Sequence, residues 1–121
     1  MSLLESGENY LESIYRLSMI KEGVHAIDIV NDLAFSKPSV SIALKKLKEA
    51  NYIIIDSNSH IILTDDGLAI AKRIYERHQI ISSLLVKLGV DKSIADEDAC
   101  KIEHDLSKES FEALKKLYNS L

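Results

Sequence analysis

The chain has one cysteine, one proline, four glycines and no tryptophan among its 121 residues. A single cysteine cannot close an internal disulfide, which fits a reducing cytoplasm. So few prolines and glycines point to long regular elements, mostly helical, rather than a loop-built fold. No apolar run is long enough to span a bilayer, and the start carries no secretory signal. A cytoplasmic protein without a membrane partner is therefore expected. Nor is there an excess of positive charge: 15 lysines and arginines stand against 19 acids, a net charge of −4. That argues against indiscriminate nucleic-acid binding without excluding a local basic surface. A chain of this size can bury a core, but a modest one, so self-association would help its stability.

What is present reads as helices first. Residues 6–21 carry Tyr10, Ile14 and Leu17 at helical period, flanked by Leu11 and Tyr15, with Ser6 as the expected N-cap and Gly23 just past the end. A short helix over 26–34 follows, with Ile27, Val30 and Leu33 on one side. Pro38 opens a third helix, capped by Ser36 or Lys37 and reaching about Ala50, with Val40, Ala43, Leu44 and Leu47 as its buried stripe. The period then changes: Tyr52–Ile55 and Ile61–Thr64 are short β-branched runs around a polar turn, the pattern of a hairpin. Helices return over 65–88, 93–104 and from Ser107 to about Tyr118.

This order predicts a mainly α protein with a small β-hairpin: a winged helix-turn-helix over residues 1–64, then a helical domain over 65–121. The third helix is the one expected in a major groove. With Val40, Leu44 and Leu47 inward, Ser41, Ile42 and Lys45 point outward, flanked by Ser39 and Lys46, with Lys37 nearer the margin. Residues 36–48 hold four lysines and no acid, the local charge reversal that a duplex-binding surface needs. Ser36, Lys37, Pro38, Ser39, Ser41, Ile42, Lys45 and Lys46 are the candidate contacts to double-stranded operator DNA. Lysines and serines suit phosphate oxygens. Ile42 suits a thymine methyl, or is simply an exposed isoleucine.

The segment Cys100-Lys101-Ile102-Glu103-His104 carries different chemistry. On a helix, Cys100 shares a face with Glu103 and His104 at about 5–6 Å. Thiolate, carboxylate and imidazole together make a first shell for a transition metal. A buried cysteine beside two solvated polar residues is the plainer account of the same spacing. As a thiolate–imidazole catalytic pair, Cys100 and His104 lack an oxyanion donor or glycine-rich turn, so no enzyme and no small-molecule substrate are expected. His25 and His60 lie outside this cluster and read as solvated surface residues.

Tyr-Leu-Glu-x-Ile-Tyr over 10–15, Arg77-His78, and Cys100 with Glu103-His104-x-Leu-Ser, arranged around a winged helix, resemble the iron- and manganese-dependent repressor family. Its members include the diphtheria toxin repressor and the manganese transport regulator. The resemblance covers nearly the whole chain and reads as a short form without the family's SH3-like domain. It implies metal ligands at Glu12, His78, Cys100, Glu103 and His104, with Asn9 at a further ligand position and Asp96 at an auxiliary one. Cys100 matches the iron branch, Glu12 matches the manganese branch, and Asn9 matches neither.

A thiolate favours Fe²⁺, Co²⁺, Ni²⁺ or Zn²⁺ over Mn²⁺. Fe²⁺ is expected first and Mn²⁺ next, with Zn²⁺, Co²⁺ and Ni²⁺ able to bind in vitro. The implied function is a homodimeric repressor of metal-uptake genes, in which metal clamps the first helix to the fourth and fifth. Ile80, Ile81, Leu84, Leu85 and Leu88, together with apolar positions after Ser93, are the expected apolar dimer surface. The rival reading is a winged-helix regulator that needs no metal.

Overall fold

The computed structural model describes residues 5–121. Six helices and one two-stranded antiparallel sheet follow in the order α1 (Glu5–Ile20), α2 (Ala26–Leu33), α3 (Lys37–Glu49), β1 (Ile53–Ile55), β2 (Ile61–Leu63), α4 (Asp65–Lys87), α5 (Lys92–Ile102) and α6 (Lys108–Asn119). The chain divides into two compact units, one reaching to Lys72 and one over Arg73–Leu121, so α4 contributes to both.

In the first unit, Tyr10, Leu11 and Ile14 of α1, Ile29 of α2 and Val40, Leu44 and Leu47 of α3 close one core with Ile53 and Ile61 of the hairpin. This is a winged helix-turn-helix. The hairpin register pairs Ile53 with Leu63 and Ile55 with Ile61, which turns Ile53 and Ile61 inward and leaves Ile54 and Ile62 half exposed. Ser36 caps α3 by accepting a hydrogen bond from the Ser39 amide at 3.3 Å, and Pro38 takes the first turn, where its missing N–H costs nothing. Two expectations are corrected. Ser6 lies inside α1 rather than capping it. On α2, Val30 and Leu33 pack against the core as expected and Ile29 is its fully buried centre, whereas Ile27 is exposed.

Side-chain bonds tie α1 to α2. Asp32 accepts from Ser13 Oγ at 2.7 Å and from both terminal nitrogens of Arg16 at 2.8 and 3.3 Å. Partial burial alone would push the Asp32 carboxyl up, but the hydrogen bonds from Arg16 and Ser13 outweigh it and hold the group below its ordinary value. Lys21 reaches Asp28 at 2.8 Å near the same helix junction.

The start of α4 is pressed against the wing. Thr64 donates to the Asn51 carbonyl at 2.7 Å and accepts from the Gly67 amide at 3.2 Å. A Cβ on Gly67 would overlap the Tyr52 carbonyl oxygen, so glycine is set here by close backbone approach and not by turn geometry. In the second unit, Ile80 and Leu84 of α4 pack on Phe111 of α6, with Leu114 and Tyr118 beside them.

Alanine for glycine inside a helix normally stabilises by about 0.5–1 kcal/mol. For Gly67→Ala we expect the opposite sign in chemical denaturation; a stability gain would remove the packing argument. Asp32→Asn is expected to flatten the acid limb of the stability curve. A depressed carboxyl contributes stability above its unfolded-state value and loses it as pH falls through the lower folded value. An unchanged acid limb would rule out that contribution.

Candidate metal centre and DNA-reading surface

Each candidate ligand has an identifiable local origin. α5 ends at Ile102, two residues short of the expected end. Glu103 is its C-cap but keeps helical angles, φ −58° and ψ −28°, with its amide bonded to the Ala99 carbonyl. The helical spacing therefore survives the end of the helix. Cys100, Glu103 and His104 bring one ligand atom each within 4.8 Å of the others. This favours the donor cluster over a cysteine beside solvated residues: Glu103 is fully buried, and the His104 side chain is 2% exposed.

Glu103 is the centre of the arrangement. Its Oε2 lies 2.8 Å from His78 Nδ1 on α4. Its Oε1 is enclosed and accepts no hydrogen bond from the described residues, with His104 Nε2 at 3.4 Å. A carboxylate oxygen withdrawn from water with no hydrogen-bond donor is costly, and a cation would offset that cost. Thiol, carboxylate and two imidazoles are the donor types that a divalent transition metal takes. The residues fit the group.

His78 faces a second carboxylate, with Nε2 3.7 Å from Asp96 Oδ1. Asp96 is engaged otherwise: it accepts from Ser82 Oγ at 2.5 Å and from Lys92 Nζ at 3.2 Å. The Ser82 hydroxyl is the main reason that its carboxyl sits below the usual range. Asn9 and Glu12 lie on α1, in the first unit, one turn apart, and Glu12 Oε1 is 3.9 Å from Arg16 Nε.

A supporting residue was not legible as such in the sequence. Arg77, beside His78 on α4, is buried. Its Nη1 donates to the carbonyls of Glu103 at 3.0 Å and Leu106 at 2.8 Å. Its guanidinium lies 5.2 Å from the Phe111 ring centroid. It thus fixes the main chain that carries Glu103 and His104. A buried arginine looks in sequence like any surface arginine until its carbonyl partners are known.

In the first unit, Ser36, Lys37, Pro38, Ser39, Ser41, Ile42, Lys45 and Lys46 are all exposed, and together they occupy the cap, first turn and outer face of α3. An open groove of about 800 Å³ runs between this face and the wing, lined among others by Lys37, Ser41, Lys45, Lys48, His25 and Ser59. His25 and His60 are surface residues, as expected, with side chains 42% and 35% exposed. Their rings meet edge to face at 4.8 Å, and His60 lies against Asp56 at 3.4 Å.

Part of the expected dimer surface is covered within the chain. Ile80, Ile81 and Leu84 are already buried within the chain. The apolar surface left over is a groove of about 660 Å³ whose exposed members include Leu88, Ile102, Leu117 and Leu121. α6 covers the upper part of the α4 stripe, which sequence periodicity could not assign to an inner or outer partner.

Residues 2–61 match the family described as iron dependent repressor, N-terminal DNA binding domain. Residues 64–121 match iron dependent repressor, metal binding and dimerisation domain. The chain belongs to the iron-dependent repressor family. It is a regulator of transcription that binds DNA in a metal-dependent way, and not an enzyme. It is 36% identical over 109 residues to the HTH-type transcriptional regulator MntR of Listeria welshimeri, covering 90% of this chain and 77% of that one. An uncharacterised HTH-type transcriptional regulator of Methanocaldococcus jannaschii is 37% identical over 115 residues, covering 92% and 90%. Among solved structures, the manganese regulator SloR superposes with a TM-score of 0.84 at 30% identity, and IdeR of T. acidophilum with 0.82 at 25%. Both superpositions cover 98% of this chain but 55% of the other, so the chain spans about half the length of those solved relatives. No helix among the described residues is long and apolar enough to cross a membrane.

An anaerobic Co²⁺ titration is expected to give a thiolate-to-cobalt charge-transfer band that disappears in Cys100→Ser. A band that survives the substitution, or none in the unsubstituted protein, would remove the thiol from the ligand set.

Proposed function

We propose that this protein represses metal-uptake genes when a divalent metal is plentiful, acting as a homodimer on a duplex operator. The observation that carries this reading is the buried Glu103 carboxylate, with Oε1 accepting no hydrogen bond and two imidazoles and a thiol close by. His78, Cys100, Glu103 and His104 would hold the ion. Glu12 is the donor supplied by α1, Asn9 adds a weaker carbonyl oxygen, and Asp96 is an auxiliary donor beyond His78. The ion supplies the positive charge that this acidic donor set lacks.

The chain's own residues do the rest. Glu12 sits on the helix whose Leu11 and Ile14 form the core of the winged helix, so engaging Glu12 orders α1 and with it the seat of α3. In a two-fold dimer joined through Leu88, Leu117 and the surrounding apolar groove, that ordering sets the separation of two recognition helices on successive major grooves. Cys100 favours Fe²⁺ as the working ion. Glu12, a hard oxygen donor, and the resemblance to MntR and the manganese regulator SloR keep Mn²⁺ as the second reading.

The test uses a randomised duplex library enriched for bound molecules in excess Co²⁺, then titrated in metal and in chelator. Coupling between two ligands typically amounts to roughly 5- to 150-fold in affinity, and a gain in that range is expected with metal. Equal affinity in chelator would leave a winged-helix regulator that needs no metal, and no enrichment would remove DNA reading altogether.

A further inference from the structure

We infer that Asp32 on α2 is a positioning residue that couples metal loading at Glu12 to DNA reading by α3. This rests on the reading of Glu12 as a ligand proposed above. The two α1 residues that hold Asp32 both follow Glu12 within one helical turn: Ser13 is next to it, and Arg16 stands four residues on, along the same face as Glu12. Ser13 is fully buried and donates to Asp32 Oδ2 at 2.7 Å. Arg16 closes a fork on both Asp32 oxygens while its Nε lies 3.9 Å from Glu12 Oε1. One guanidinium thus stands between the candidate ligand and the helix that precedes α3.

Apolar packing of Leu11 and Ile14 holds α1 on the core, but it is non-directional and tolerates a small rotation or slide. A planar guanidinium on a carboxylate and a short hydroxyl bond do not, since both fix angle as well as distance. A displacement of Glu12 along or about the α1 axis is therefore transmitted to Asp32. From there it reaches α2, and through the short 34–36 connection it reaches the Ser36 cap of α3. With a cation at Glu12, Arg16 would lose that neighbour and keep Asp32.

The experiment compares the full chain with Asp32→Ala, Asp32→Asn and Arg16→Lys. For each we would measure Co²⁺ affinity without DNA, and affinity for the same enriched duplex in chelator and in excess Co²⁺. Asp32→Ala is expected to bind Co²⁺ within about threefold of the parent and to match it on DNA in chelator. Its metal-induced gain in DNA affinity should fall at least fivefold. Arg16→Lys, which keeps the charge and loses the fork, is expected to fall between. A purely structural role would lower DNA affinity equally with and without metal, and that result overturns the inference, as does an unchanged gain in a folded Asp32→Ala. Should the alanine variant not fold, Asp32→Asn carries the same comparison, because it keeps an acceptor for Ser13 and loses the charge facing Arg16. If the parent itself shows no gain with metal, the underlying reading of Glu12 and its metal fails, and this inference fails with it. A gain in the parent that survives in the variants sinks this inference alone.

Discussion

A carboxylate with no exposure to water has to be accounted for, and the second unit is organised around one. Removing an ion from water costs several kcal/mol even after relaxation, and Glu103 is fully buried. Three helices contribute to its setting. α4 brings His78 to Oε2 and Arg77 to the Glu103 carbonyl. The end of α5 supplies the backbone turn and His104. α6 packs Phe111 under the Arg77 guanidinium. Arg77 also satisfies the Leu106 carbonyl, so the last carbonyls of α5 and the loop after it are held by one buried cation at the end of a helix where positive charge is favoured. An apolar side chain in place of Glu103 would pack at lower cost. Keeping an acid there is the kind of local sacrifice that folds make at functional sites.

The first unit solves a different problem. Its reading helix must be positive on a protein that is negative overall, and it must be fixed without burying those charges. α3 does this by period: Val40, Leu44 and Leu47 turn inward at 1–5% exposure, and the serines and lysines between them face out. This much was legible in the chain, because helical period, a proline at the first turn and a capping serine are local signals. The hairpin was legible for the same reason, with β-branched runs on either side of a polar turn. The triplet Cys100, Glu103 and His104 was legible because three- and four-residue spacing places residues together on any helical turn, including one that has just left the helix.

What the sequence concealed was pairing over distance. Ser13 and Arg16 meet Asp32 across 19 and 16 residues, and Arg77 meets Glu103 across 26. No period or motif specifies such partners, since each depends on how helices cross. The contact between His25 and His60 was hidden for the same reason: two histidines far apart in sequence are neighbours only because the strand after the turn returns to α2, with the Ile61 amide bonded to the Val24 carbonyl at 2.8 Å. The apolar stripe of α4 was visible, but the division between the part covered by α6 and the part left open was not. Amphipathic period says that a face is buried and never against what.

The strength of the Asp32 link bears on what it is for. The Arg16 and Asp32 side chains are 37% and 21% exposed, and ion pairs in such settings contribute about 0–1 kcal/mol to stability. That is small beside the burial of Leu11, Ile14 and Ile29, each worth about 1.5–3 kcal/mol. The fold therefore does not depend on the pair, and its value lies in direction. Allosteric coupling needs only about 1–3 kcal/mol of difference between two states. A bond that is nearly neutral on average can supply much of that if its geometry is good in one state and poor in the other. A weak, directional contact between the helix that carries the candidate ligand Glu12 and the rest of the helix-turn-helix is thus better suited to carrying a signal than the stronger contacts that hold the two together.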